Sequence, residues 1–177
     1  LERSLDMHNS HQSFAARQRM LNANGDASNQ VIWFTDALTA SGEFDQTPEA
    51  LEVIDEWMAN IRATPALGVA GNKPPRATDR CFNNQGQQIA AGPGVWDGII
   101  DSKPPGACTQ LFPPFSTSRR VAGGPFEQSI FKCQLIPVEQ AVGRGFYGIW
   151  SPTAAQVNQL RTIFPQGVCD YSRPDAG

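Results

Sequence analysis

Asp6-Met7-His8-Asn9-Ser10-His11-Gln12-Ser13-Phe14-Ala15-Ala16-Arg17, followed at Asn29-Gln30-Val31-Ile32-Trp33-Phe34-Thr35 by a β-branched and aromatic run, is the stretch that decides the fold class. The segment from His11 to Asn22 has the spacing of a short helix. Phe14 and Leu21 are seven apart and share a face, while Arg17, Gln18 and Arg19 are expected to look outward. Asn24-Gly25 stops it in the manner of a left-handed C-cap. Residues 29–35 have the composition of a strand. A loop carrying the chain's only two histidines thus runs straight into a helix and then a strand.

Further along, Thr47-Pro48-Glu49 reads as a helix start, with Thr47 as N-cap, Pro48 in the first turn and Glu49 at the positive end of the dipole. Leu51, Ile54, Met58 and Ile61 recur at helical spacing, so a helix to about Arg62 with one buried stripe is expected. Pro and Gly dominate from Ala63 to Pro75, a surface connection. Arg80-Cys81-Phe82, the turn Asn83-Asn84-Gln85-Gly86 and Gln87-Gln88-Ile89 predict a hairpin. Ser129 to Ile136 alternates apolar and polar residues, the pattern of a strand. Lys103-Pro104-Pro105-Gly106 and Phe112-Pro113-Pro114-Phe115 force extended loops. A last helix starts near Thr153, where Thr153 and Gln156 form a capping box and Val157, Leu160 and Phe164 share one side. Two regions are expected, residues 1–62 and a loop-rich region, residues 63–177.

A chain of 177 residues is long enough to bury about 70% of its unfolded surface. With 16 Gly and 14 Pro, much of the backbone is turn and connection, which excludes a helical bundle, a coiled coil and a collagen. A net charge of −3 offers no field for phosphate backbones, so no nucleic-acid partner is expected. The longest notable apolar run, Val31-Ile32-Trp33-Phe34, falls far short of the ~18 residues of a membrane helix. Leu1-Glu2-Arg3-Ser4 is neither an initiator Met nor a leader peptide, and a further stretch upstream is expected.

Cys81, Cys108, Cys133 and Cys169 show no zinc or C-x-x-C spacing. Their even count in Pro/Gly-rich sequence favours two disulfides and an oxidising compartment, secreted or periplasmic. Three pairings are open.

An imidazole is the one unperturbed side chain able to take and return a proton near neutral pH. His8 is the first choice for such a general base and His11 the second. A serine nucleophile is missing: no G-x-S-x-G occurs, Ser10 and Ser13 are too local to the histidines, and Ser116 and Ser118 lack an elbow. The alternative for the same residues is a plain helix N-terminus capped by Asp6, Asn9 or Ser10. His8 and His11 with Asp6 have metal-ligand spacing, but no further ligand cluster joins them, so neither a metal nor another cofactor is expected. Arg119 and Arg120, beside Gly123-Gly124-Pro125, are candidates to bind a substrate carboxylate or to tie down a loop. Trp96, Phe112, Phe115, Phe146, Tyr147 and Trp150 are candidates for a cleft or for core.

The runs His8 to Arg17, Asn29 to Trp33, Pro113 to Pro125 and Phe164 to Asp175 resemble the C-terminal part of a bacterial family of exported proteins of unassigned function. That family looks like α/β-hydrolases, with distant similarity to tannase-type esterases and 3-hydroxybutyrate-oligomer hydrolases. The resemblance spans nearly the whole chain. It implies an α/β fold: the C-terminal part of a hydrolase-like sheet with a loop-rich, disulfide-stapled β excursion, incomplete without an upstream segment or partner chain. It implies that His8 is the triad histidine of an exported serine ester hydrolase, with the serine upstream or on a companion chain and a small-molecule or oligomeric ester as substrate. The competing expectations are a non-catalytic accessory subunit that keeps a hydrolase-like tail, and a polymer-binding module.

Overall fold

In the computed structural model, residues 10–35 and 45–177 are described. Helix α1, His11–Asn24, ends as its sequence predicts: Gly25 takes φ 70°, and its N–H donates to the Leu21 carbonyl at 2.8 Å. Phe14 and Ala15 are buried. Arg17, expected outward, turns inward instead. Its guanidinium grips both oxygens of Asp79 at 2.6 and 2.9 Å, and Nε donates to the Gln30 amide oxygen at 3.0 Å. A forked donor meeting a planar carboxylate in two parallel bonds is the strong form of this pairing.

The predicted strand over residues 29–35 shortens to β1, Trp33–Thr35. The cause is the same carboxylate. Asp79 Oδ1 accepts the Ile32 N–H at 2.8 Å, and the Ile32 carbonyl receives Arg80 N–H and the Trp96 indole N–H. Strand β1 runs parallel to β2, Arg80–Phe82, with Phe34 opposite Cys81. The hairpin forms as expected, β2 pairing antiparallel with β3, Gln88–Ala91. One sheet in the order β1-β2-β3 therefore joins residues on either side of position 62.

Phe14 meets Phe34 and Trp96 edge-on at 5.8 and 5.4 Å, and Phe34 meets Trp96 at 4.8 Å, so three rings close the core over the sheet. Edge-to-face rings add about 1 kcal/mol per pair beyond area burial. The Cys81–Cys108 disulfide, fully buried, staples β2 to the short helix α4, Ala107–Leu111. Gly106, at the start of α4, is required by close approach: a Cβ there would stand 2.1 Å from the Gly94 carbonyl oxygen.

Helix α2, Thr47–Ala63, begins one residue earlier than predicted. Gln46 is its N-cap, Asp45 receives the Thr47 N–H at 2.9 Å, and Pro48 and Glu49 sit in the first turn. Its expected buried stripe is overturned: Leu51, Ile54 and Met58 are exposed, and Val53 is the buried residue of the helix. The polar side packs inward. Glu49 pairs with Arg80 at 3.0 Å, Glu56 with Arg76 at 2.8 Å, and the Trp57 indole N–H donates to the Val69 carbonyl at 2.7 Å. The following connection holds a 3-10 turn, Pro65–Leu67, and one short helix, α3, Gly68–Gly71.

Contacts divide the chain into two compact units, Leu1–Phe115 and Ser116–Gly177. The second opens with a one-turn helix, α5, Ser118–Val121. Its sheet is β4, Gln134–Ile136, antiparallel to β5, Val168–Asp170, and Cys133–Cys169 staples the pair. The strand expected over 129–136 is cut to its last three residues because the Asp175 carboxylate takes the Phe131 and Lys132 N–H groups, at 2.5 and 2.9 Å. Helix α6, Val138–Gly143, buries Val138 and Ala141. Helix α7, Ala154–Ile163, starts with the predicted capping box of Thr153 and Gln156. Val157 and Leu160 are half-buried while Phe164 is exposed.

Two predictions follow from these carboxylates. Asp79→Ala leaves a half-buried guanidinium without its partner and is expected to cost about 3 kcal/mol in urea unfolding, while the double change Arg17→Met with Asp79→Leu costs clearly less. Asp175 is held below the usual carboxylate range, chiefly by the Lys132 and Gly177 backbone N–H groups. A depressed folded value adds stability above the unfolded value, about 3.9, that is lost as pH falls through the folded one. Asp175→Asn is therefore expected to lower the urea midpoint at pH 7 and to flatten its decline below about pH 4.

Candidate functional site

Helix α1 opens on His11 and follows closely on His8 in the sequence. Three contacts fix α1 within its first two turns: the Phe14 ring in the aromatic cluster, the Arg17 fork on Asp79, and the Gln30 side-chain amide donating to the Ser13 carbonyl at 3.1 Å. Gln30 is thereby bonded on both ends, accepting from Arg17 and donating to Ser13. An immobile helix start gives a preceding loop a fixed point of departure, which a general base needs if its ring is to stay within hydrogen-bond reach of a reacting group.

His8 and Asp6 lie outside the described residues. His11 is in the first turn of α1, 3% exposed, and thus part of the packing. Ser10 stands at the N-cap with helical φ and ψ, and its side chain makes no capping bond. The side-chain capping role considered for Ser10 is therefore absent.

The groove beside α1, bordered by Arg17, Ser28, Lys73, Asp79 and Gly92, is charged but internally satisfied. Arg17 and Asp79 hold each other, and Lys73 Nζ donates to the Ser28 carbonyl at 2.9 Å. Among the described residues no three His, Cys, Asp or Glu side chains gather as a metal site. All four cysteines are in disulfides, so no thiol is available as a nucleophile or ligand.

In the second unit Arg119 Nη1 donates to the Ile130 carbonyl at 3.1 Å, with its guanidinium over the Phe131 ring at 5.7 Å. Arg120 Nη1 donates to the Gly124 carbonyl at 2.9 Å and lies over Phe126 at 5.9 Å. Both cations tie α5 to the loops that follow it. An open groove of about 620 Å³ lies between α6 and α7, bordered by Pro137, Glu139, Asn158, Arg161 and Phe164, and the Glu139–Arg161 pair at 2.8 Å sets its polarity.

The candidate aromatic residues take different roles. Trp96 is buried in the ring cluster of the first unit, and Phe112 meets Phe34 edge-on at 6.5 Å. Tyr147 and Trp150 make their own edge contact at 5.6 Å in the second unit. The residues that sequence reasoning did not single out are Asp79 and Gln30. Their partner Arg17 lies 62 and 13 positions away, and no local pattern marks either one.

Arg120→Ala is expected to lower the second unit's unfolding free energy by about 1 kcal/mol, the ordinary net worth of one hydrogen bond, read by urea titration of Trp150 fluorescence.

A family model described as a tannase-like family of unknown function (DUF6351) matches residues 1–177. No curated protein and no solved structure matches the chain.

Proposed function

Because the chain belongs to this tannase-like family of unknown function, we propose that it supplies the general base of a serine ester hydrolase, with His8 as that base. The family match over residues 1–177, which takes in the Asp6-x-His8 stretch, carries the reading. The anchoring of α1 supports it, since the residues that bear His8 lead in sequence into a helix fixed by an ion pair and a ring cluster. The burial of His11 favours His8 over its neighbour, because a base must meet substrate and then water.

The chemistry is acyl transfer. A serine Oγ attacks the ester carbonyl as the imidazole takes its proton. Collapse of the tetrahedral intermediate breaks the C–O bond, and the imidazolium gives that proton to the departing alkoxide. Water, activated by the same ring, then releases the acid and restores the serine. No Gly-x-Ser-x-Gly occurs in these 177 residues, so the serine belongs to polypeptide beyond them, upstream in the same protein or on a companion chain. Two disulfides fit an exported protein.

A second reading, a non-catalytic accessory unit, is favoured by one observation: α2 turns apolar side chains to the outside, as an interaction module does. One experiment separates the two. In the native assembly, His8→Ala is expected to lower kcat/KM for a chromogenic ester by about 1,000-fold or more and to slow fluorophosphonate labelling of the serine. His11→Ala is expected to lower thermal stability and leave turnover within about tenfold of wild type. Labelling and turnover that both survive His8→Ala refute the base assignment.

A further inference from the structure

The two disulfides lie in different surroundings. In the first sheet Cys81 is paired in register with Phe34, whose ring meets Phe14 and Trp96, and neither Cys81 nor Cys108 has any exposed surface. That bond is inside a core. In the second sheet side chains alternate between the two faces of each strand. Ile136 and Asp170, on one face, are buried, while Leu135, paired with Cys169 on the other, is 45% exposed. Cys133 stands two residues before Leu135 and shares its face, and both Cys133 and Cys169 are half-buried. The Cys133–Cys169 bond thus crosses the outer face of its sheet.

Little else holds that sheet. Its two strands have three residues each, and a two-stranded pair is marginally stable at best in water. Among the described residues, the buried apolar side chains of the second unit are Ile136, Val138 and Ala141, whereas the first unit buries Phe14, Ile32, Phe82, Val95 and Trp96 together with smaller residues. The Cys133–Cys169 bond closes a span of 36 positions that contains α6 and α7. Cutting it returns the freedom of that whole span to the unfolded chain, and a three-residue core with a few polar contacts is what remains to oppose the loss.

We propose that the second unit is a redox switch: a dithiol reductant opens Cys133–Cys169 in the folded chain and releases β4, β5 and α6 from their fold, while Cys81–Cys108 and the first unit stay intact. A thiolate of the reductant attacks one sulfur of the bond and forms a mixed disulfide, and the other cysteine leaves as a thiolate that takes up a proton. The second thiol of the reductant then attacks the mixed disulfide, frees the first cysteine and closes the oxidised reductant. Two electrons and two protons pass from the dithiol to the two cysteines. At Cys81–Cys108 the same attack requires the ring core to open first. Re-oxidation remakes the bond and the sheet with it, so the second unit is folded where that bond is able to form. The inference is independent of the role of His8.

All four cysteines are in disulfides, so every thiol that appears reports a bond that has opened. The test treats the 177-residue chain with dithiothreitol, quenches with iodoacetamide at intervals, maps the alkylated cysteines by peptide mass and follows amide hydrogen exchange in parallel. Cys133 and Cys169 are expected to be alkylated at least about tenfold faster than Cys81 and Cys108. Amide protection in β4, β5 and α6 is expected to fall in step with that alkylation, protection in α1 and β2 to persist, and re-oxidation to restore what was lost. Equal rates, or earlier alkylation of Cys81 and Cys108, overturn the proposal. Alkylation of Cys133 and Cys169 that leaves protection unchanged overturns it as well, since the bond is then only a reducible surface link, and so does protection that fails to return. Cys133→Ser combined with Cys169→Ser gives the reduced state without a reductant: the first unit is expected to keep its wild-type exchange pattern and the second to lose its protection. A second sheet still protected in that variant, or a first unit lost along with it, refutes the switch.

Discussion

The forked ion pair between Arg17 and Asp79 is the contact on which the first unit is assembled. It joins a residue of α1 to the residue just before β2, 62 positions away, and further bonds extend it: Arg17 Nε goes to Gln30, and one Asp79 oxygen also takes the Ile32 N–H. A guanidinium and a carboxylate shielded from water in this way cost desolvation energy that only full hydrogen bonding offsets. The arrangement defines the angle at which α1 leaves the sheet. It thereby fixes where α1 begins, and His11 in its first turn.

Side-chain carboxylates replace strand ladders in both units. Asp79 takes the N–H that would extend β1 backwards, and Asp175 takes two that would extend β4 in the same sense. Asp170, with no exposed surface, accepts from Ser172 and pairs with Arg144 at 3.1 Å where β5 ends. Each unit thus has strands of only three or four residues. Such short strands bury little apolar surface, and each unit compensates with one disulfide. Those links close loops of 27 and 36 residues, worth about 3–4 kcal/mol each in the chain-entropy model.

Local chemistry was legible and distant chemistry was not. Gly25, the hairpin turn at Asn83–Gly86 and the Thr153–Gln156 box act within a few residues, so their types alone foretold the elements they end or begin. The even cysteine count foretold two disulfides, but their pairing depended on which strands meet. Residues 29–32 and 129–133 look like strands because the pattern of side chains says nothing about a carboxylate arriving from far along the chain. Arg17 was misplaced for the same reason: a charged residue at an outward spacing turns inward when a partner waits there. Of the candidate site, the start of α1 was legible, while Asp79 and Gln30, which anchor it, carry no local signal.

The inversion of α2 has a different cause. Its spacing was read correctly, and periodicity does identify an apolar row, but it cannot tell which body the row will meet. Arg76 and Arg80, supplied by the segment around β2, draw Glu56 and Glu49 inward, and that choice sends Leu51, Ile54 and Met58 out. Surface ion pairs of this kind are worth under about 1 kcal/mol each, less than burying the apolar row would return. Helix α2 is thus oriented by its charged side, and its apolar row stays in solvent.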